Sequence, residues 1–484
     1  KSLSIRRQTS TLSASTNKAD DSFDSFCQLD PLVNKRVDFA YRGTKLKFEL
    51  SYSLFSSFDI DEGTRFLLKE ISNEQGIIHA HRLLDAGCGV GVIGISLAAS
   101  CPEMDVVLRD RDFRAVALSA RNAKRNGLGV KLFGLNGQQH VLCQKKKFAK
   151  IKIKQRKADD LIAEPGLLCE PDERGPYDAI VSNLPAKAGV NVLENYFHFA
   201  CTELLQPGGT FAFVIIAPLA DMACIWCANA GLALIRTNRT KNHMVAIAQS
   251  PREVQVGKLS SNGWISAYLR SHTERQLARA NLEWDGFQGL PEFDEPSFVT
   301  LCTLSLAQRV FAGLLVRRAL VVEPGVGIIP IWIKEVLGTE EIVLISHDVL
   351  ALTASIHNLE KKGFLKAISI LDPILPIISP SAIENSLPHE ALLQEKEGQV
   401  SVEKKLSPAS IDVAVFFLED IPRYNIASAS WLLTQKSLKR GGVVIFSGTS
   451  THCERVCREK PMGFSRLPHS DQKKGWHAVA FRRD

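Results

Sequence analysis

An internal repeat limits the architecture of this chain more than anything else in it. Val106–Gly127 (VVLRDRDFRAVALSARNAKRNG) aligns without gaps on Ile342–Gly363 (IVLISHDVLALTASIHNLEKKG). A Gly-rich turn precedes each copy, DAGCG at Asp85–Gly89 and EPGVG at Glu323–Gly327. Tyr177–Asn183 (YDAIVSN) is echoed by Ile411–Phe417 (IDVAVFF), Pro207–Val214 (PGGTFAFV) by Arg440–Ser447 (RGGVVIFS), and Asn242–Ala248 (NHMVAIA) by Gly475–Phe481 (GWHAVAF). So many landmarks in one order mean two copies of a single unit. Short apolar strands alternate with helical patterns in each, which predicts parallel sheets with helices on both faces. The expected division is a disordered polar tail over 1–40, a first unit over 41–250, a joining segment over 251–300 and a second unit over 301–484.

The copies diverge where chemistry would sit. In this alignment Gly91 falls opposite Ile329, Asp110 opposite Ser346, and Asn183-Leu184-Pro185 opposite Phe417-Leu418-Glu419. The apolar scaffold is kept and the polar residues are exchanged, so the first copy reads as functional and the second as degenerate. His243 and His477 are placed at equivalent positions, which reads as structure rather than catalysis.

In the first copy a strand runs into Asp85-Ala-Gly87-Cys-Gly89-Val-Gly91, and a helix follows. Closely spaced glycines at such a junction let a ligand approach backbone N–H groups at the helix start. Asp110 ends the next strand, where its carboxylate can accept both hydroxyls of a ribose. The GxGxG spacing differs from the dinucleotide GxGxxG, and with Asp110 it points to a nucleoside-type cofactor. Asn183-Leu184-Pro185 directly follows another apolar strand, at the carboxyl end where ligands bind in open α/β sheets. An Asn amide oxygen and a neighbouring carbonyl there can accept hydrogen bonds from a planar NH2 group and orient its nitrogen for methyl transfer, a catalysis of positioning.

On these residues the first copy resembles class I S-adenosylmethionine-dependent methyltransferases of the "methyltransferase small" group. The matching segments are FSSFDIDEGTRFLL (Phe55–Leu68), LLDAGCGVGVIGI (Leu83–Ile95), the acid in LRDRDFRAV (Asp110) and SNLPAKAG (Ser182–Gly189). The group includes tandem-domain bacterial guanine-N2 methyltransferases of ribosomal RNA. The resemblance implies two Rossmann-like methyltransferase units, the second degenerate, and S-adenosyl-L-methionine as cofactor. It implies Asp85, Gly87, Gly89, Gly91, Asp110 and Thr64 as cofactor contacts, and Asn183, Leu184 and Pro185 as the catalytic tripeptide. An acid after the third strand would meet the adenine ring; Asp159 or Asp160 would serve, with Asp159 favoured. Two departures stand out. The family tripeptide is usually followed by an aromatic ring that stacks on the target base, and here Ala186 follows. In the ribosomal guanine enzymes the degenerate copy comes first, and here it comes second.

The chain carries a formal net charge of +7, compatible with an anionic partner. Its distribution is more telling: Lys145, Lys146, Lys147, Lys150, Lys152 and Lys154 lie in a run to Lys157 that holds no acid. Such a run would engage RNA phosphates regardless of sequence. Phe55 and Phe58 are candidates to cover the cofactor or to pack in the core, and Trp264, Tyr268 and Arg270 to contact RNA or to pack a joint. Ser379–Ser410 reads as a long polar loop. The 11 cysteines are scattered, and Cys224 and Cys227 lack further ligands at zinc spacing. Buried thiols, a cytoplasmic setting, a monomer and no metal are expected. No long uncharged apolar stretch predicts a membrane span. The head Lys1–Lys18, without acids and rich in Ser, Thr and Arg, superficially suggests a transit peptide but reads as a tail. The leading function is methylation of an exocyclic amino nitrogen in RNA, ribosomal RNA being the expected substrate, with guanine N2 favoured over adenine N6. Methylation of a protein glutamine amide, and a non-catalytic RNA-binding or ribosome-assembly role, are the alternatives.

Overall fold

The computed structural model describes residues 27–54, 57–134, 139–140, 159–172, 174–253, 263–372 and 406–484. The first unit opens with a hairpin, β1 (Val33–Tyr41) and β2 (Thr44–Ser51). It continues through α1 (Glu62–Ile71), α2 (Gln75–Ile78), β3 (Arg82–Ala86), α3 (Val92–Ser100), β4 (Asp105–Asp110), α4 (Phe113–Arg125), β5 (Val130–Phe133), β6 (Gln139–His140) and β7 (Leu161–Pro165). It ends with β8 (Tyr177–Asn183), α5 (Val190–Phe199), β9 (Leu205–Ile216), α6 (Ala220–Asn229), β10 (Ala233–Arg239) and β11 (His243–Gln249). The sheet order is β10-β11-β9-β8-β3-β4-β7-β5-β6. Its centre is parallel, and the apolar runs of β3, β4, β8 and β9 are buried on both faces, as helices on both sides require.

The second unit repeats the plan. A hairpin, β12 (Leu269–Leu277) and β13 (Ala280–Phe287), leads into α7 (Phe298–Val310), β14 (Arg318–Val322), α8 (Ile328–Leu337), β15 (Glu341–Ser346), α9 (Val349–Lys361) and β16 (Ala367–Leu371). Then come β17 (Ile411–Phe417), α10 (Ile426–Ser437), β18 (Leu438–Thr449), α11 (Ser450–Arg458), β19 (Phe464–Lys473) and β20 (Trp476–Arg483). Its sheet runs β16-β15-β14-β17-β18-β20-β19. In the first unit β7 is inserted between the counterparts of β15 and β16. Two expected boundaries move. Ordered chain begins before residue 41, with β1 at Val33, and the expected joining segment 251–300 carries β12 and β13, the second unit's own hairpin. None of the helices among the described residues is long and apolar enough to cross a membrane.

The hairpins are tied in by the same polar clamp. Asn122 on α4 accepts from the Glu49 N–H at 2.8 Å and donates to the carbonyls of Glu49 (3.0 Å) and Val90 (2.9 Å). Asn358 on α9 repeats this with Asp285 and Val326. One buried amide thus satisfies strand, Gly turn and helix together, which explains why that asparagine stands in both copies. The acids beside it differ in partners: Glu49 is fully buried among Arg36, Arg121 and Arg125, and Asp285 meets His272, His357 and Lys361.

The structure also corrects the alignment of the Gly turns. The Gly87 N–H donates to the Arg109 carbonyl at 2.9 Å, and the Glu323 N–H donates to Ile345 at 2.7 Å. Gly91 caps α3 at φ 85°, and Gly327 caps α8 at φ 95°. Gly87 therefore pairs with Glu323, Gly91 with Gly327 rather than Ile329, and Asp85 with Val321. Two residues of slip placed one acid opposite the other in the linear alignment.

The two units meet through the same segment of each. The Phe113 N–H donates to the His347 carbonyl at 2.8 Å, and the Val349 N–H donates to Arg111 at 3.0 Å. Phe113 is the repeat counterpart of Val349 and Arg111 that of His347, so the two bonds are equivalent and the contact is self-complementary, as in a two-fold dimer. Arg111 reaches Asp348 at 2.7 Å, and Arg114, nearly buried, reaches Glu419 at 2.5 Å. Around them the second unit's vestigial site is filled. Glu323 adopts φ 56° where the first unit has Gly87. Its carboxylate accepts from the Ser346 hydroxyl at 2.7 Å and meets His347 Nδ1 at 3.1 Å. Burial lowers the His347 pKa, but the carboxylates of Glu323 and Asp112 outweigh it and hold the ring up at about 10.

Candidate active site

At the carboxyl end of β3 the chain passes through Gly87 (φ 72°) and Gly89 (φ 53°), backbone that favours glycine. A Cβ on either would meet no described atom within 4 Å, so the space above the turn is open to a ligand. Gly91 serves packing instead: a Cβ there would lie 2.7 Å from Ile95 Cδ1 and 2.9 Å from Ser119 Cβ. The Asp110 carboxylate accepts from the N–H groups of Gly89 and Asp112, both at 2.9 Å, which holds the turn against the end of β4. Burial pushes its pKa up to about 6.

Asp85 is wholly buried beneath the turn. Its Oδ2 accepts from the Gly94 N–H of α3 at 2.7 Å, and its Oδ1 has no hydrogen-bond partner among the described residues. Burial, then the charge of Asp110, raises its pKa to about 7. An orphaned carboxylate oxygen under an open glycine cradle is a poor arrangement for the empty protein and a suitable one for a ligand with a positive or hydrogen-donating end. With the Asp110 carboxylate alongside, the donor set fits an adenosyl cofactor that carries a cationic amino acid tail.

Asn183 ends β8 on the neighbouring strand. Its Nδ2 donates to Asp61 Oδ1 at 3.1 Å and to Thr64 Oγ1 at 3.0 Å. Asp61 also caps α1, accepting from the Thr64 N–H at 2.9 Å. The amide is therefore fixed with its nitrogen toward α1 and its oxygen left as an acceptor. Thr64, expected among the cofactor contacts, is buried and accepts this bond from Asn183. Asp61, which sequence reasoning missed, is its co-anchor; the signal was Asp-Glu-Gly-Thr opening an apolar helix, an N-cap pattern. Leu184 is buried, and its N–H donates to Val214 at 3.0 Å, whereas Pro185 is exposed at the rim.

Asp159 is not brought to this end. Its N–H donates to the carboxylate of Asp105, the first residue of β4, and it lines a cavity of about 330 Å³ with Arg82, Asp160 and Tyr177. Asp110 closes β4 at the other end, about 16 Å away at the rise of a strand. Asp159 and Asp160 precede β7, whereas an adenine contact would have to follow it. The carboxyl end of β7 carries Glu164, paired with Arg109 and Arg174, and Glu170.

His243 is also reassigned. It faces Ile216 across β11 and β9, as Trp476 faces Thr449 across β20 and β18. Its counterpart is Trp476, not His477, so this histidine belongs to the first unit alone. Its ring packs on the first turn of α1, where a Cβ on Gly63 would lie 3.1 Å from Cδ2. Tyr268, in the joint between units, is buried and accepts from the Cys169 N–H at 3.2 Å, and Arg270 stacks over Phe293. Tyr268 packs the joint, and Arg270 is exposed. The basic run, with Lys145, Lys146, Lys147, Lys150, Lys152 and Lys154, lies outside the described residues, as do Phe55 and most of Ser379–Ser410.

Residues 45–153 match the model of the methyltransferase small domain. The first unit carries a methyltransferase small domain. The chain is 30% identical over 164 residues to the ribosomal RNA small subunit methyltransferase C of Hahella chejuensis, a match covering 33% of this chain and 37% of that protein. It thus spans little over a third of that relative's length. It is 28% identical over 180 residues to the uncharacterized protein YbxB of Bacillus subtilis, 36% of this chain and 72% of that one. Among solved structures, a T. thermophilus 16S rRNA N2 methyltransferase in complex with AdoMet and guanosine superposes with TM-score 0.54 at 16% identity, over 94% of this chain and 99% of that one. That likeness supports the fold: two tandem class I methyltransferase-like units.

Proposed function

We propose that the chain is an S-adenosylmethionine-dependent methyltransferase that acts on an exocyclic amino nitrogen of a base in ribosomal RNA, with guanine N2 favoured over adenine N6. The observation that carries this reading is the fixed amide of Asn183, anchored by Asp61 and Thr64 beside the Gly87–Gly89 cradle. When bound, the cofactor supplies an electrophilic methyl group. Asp110 holds its ribose, Asp85 faces its charged tail, and the cradle admits its backbone-proximal atoms.

The chain's own contribution to transfer is positional. Asn183 Oδ1 accepts from the target NH2, which aligns the nitrogen lone pair and stabilises the positive charge that develops on it. No general base is required, because the proton leaves readily once the nitrogen is alkylated. The names of the relatives, the rRNA methyltransferases above, favour RNA over a protein amide. The test is transfer of a labelled methyl group to unmodified ribosomal RNA transcripts, followed by nucleoside analysis. Label in N2-methylguanosine supports the reading. Label in protein glutamine, or cofactor binding without transfer to any RNA, refutes it.

A further inference from the structure

The first unit lacks an aromatic residue after Asn183-Leu184-Pro185, where Ala186 stands, yet it presents one nearby. Phe58 is 67% exposed, an unusual place for a phenylalanine. It lies three residues before Asp61, the anchor of Asn183. Three residues of chain reach at most about 11 Å, within the span of an aromatic side chain and a bound base.

Described residues on either side of Phe58 are held by hydrogen bonds. Asn34 Nδ2 donates to the Ser57 carbonyl at 2.7 Å, and Ser57 Oγ donates to the Leu54 carbonyl at 3.0 Å. Arg65 holds the Ile60 carbonyl and the Asp59 carboxylate at 3.0 and 2.9 Å. Tyr52 and Phe58 form a T-shaped pair, centroids 6.1 Å apart and planes at 82°, with most of the Phe58 side chain left in solvent. From the second unit, Arg423 sets its guanidinium 5.7 Å from the Tyr52 ring and donates to the Val33 carbonyl at 3.3 Å. Arg423 is exposed and has no carboxylate partner among the described residues. It also lines an open cavity of about 520 Å³ of mixed charge, with Asp420, Asn425, Arg455 and Glu459.

An exposed ring, backed by a second ring and a guanidinium that has no carboxylate partner among the described residues, is the composition that binds an unstacked base and its phosphate. We propose that Phe58, supported by Tyr52 and by Arg423 of the second unit, is the stacking surface for the target base, in place of the aromatic missing at Ala186. The degenerate unit thereby contributes to substrate recognition without a cofactor site of its own. This inference rests on the RNA reading above.

The test compares wild type, Phe58→Ala, Phe58→Trp and Arg423→Gln in the full chain, with unmodified ribosomal RNA transcript and with S-adenosylmethionine as separate titrants. Phe58→Ala is expected to weaken RNA binding about 5- to 150-fold, the stacking contribution of one base. Cofactor affinity should stay at the wild-type value, and Phe58→Trp should restore RNA affinity. Arg423→Gln should weaken RNA binding and flatten its salt dependence. Loss of cofactor affinity with RNA affinity intact would overturn the inference and make Phe58 a cover for the cofactor. Unchanged affinities for both would overturn it outright. If wild type binds RNA and Phe58→Ala does not, yet no methyl group is transferred, the stacking surface stands and the catalytic reading falls.

Discussion

Asp85→Asn should make the empty protein more stable and the cofactor complex weaker. In the fold, burial raises the Asp85 pKa from 3.8 to about 7. Between those values the folded protein holds a proton that the unfolded chain has released, so stability falls as pH rises from about 4 to about 7 and is flat above that. At 1.36 kcal/mol per pKa unit the cost of keeping the charged form buried at pH 8 is about 4 kcal/mol. Asn is isosteric, and its amide oxygen can still accept from the Gly94 N–H, so the variant removes the charge and keeps the packing. Urea unfolding of both proteins at pH 5 and pH 8 should show Asp85→Asn gaining on wild type by about 3 kcal/mol between the two pH values. Calorimetry at pH 8 should show weaker S-adenosylmethionine binding if, as proposed, the orphaned Oδ1 that penalises the empty state meets the ligand. Equal stability of the two proteins at pH 8, or an advantage for Asp85→Asn that shrinks as pH rises, would refute the reasoning.

Asn183→Ala should slow methyl transfer by about 10²-fold or more with cofactor affinity nearly intact; Asp61→Ala should lower the rate in the same direction, and an unchanged rate in both would make the tripeptide structural. Asp110→Ala should weaken cofactor binding by about 1.5–3 kcal/mol, the scale for hydrogen bonds to a charged group, whereas Ser346→Ala should leave it unchanged in calorimetry. Arg114→Ala, at the joint between units, should lower stability in urea by about 3 kcal/mol, the low end for removing one partner of a buried pair. The low end applies because Glu419 keeps 38% of its side chain in solvent. A double change with Glu419→Gln should recover part of that loss.

The sequence alone determined what is periodic or local. Repeated apolar strands and the helix segments Val106–Gly127 and Ile342–Gly363 dictate two α/β units, because burial of a strand or of one helix face is written into residue spacing. Gly87, Gly89, Asp110 and Asn183 were legible for a related reason: each sits at a strand end, and strand ends share one side of a parallel sheet. What depends on contacts across the fold was not legible. The bond from Asn183 to Thr64 became visible only once α1 and β8 were packed together. Asp159 was misplaced because no spacing within the chain reveals at which end of β7 a residue lies when the run before it is basic rather than periodic. The Gly turns slipped by two because DAGCG and EPGVG look alike, whereas the backbone hydrogen bonds of Gly87 and Glu323 distinguish them. The closing of the second site, with Glu323 on Ser346 and Arg114 reaching in from the first unit, is a property of two surfaces in contact, and only tertiary structure brings those surfaces together.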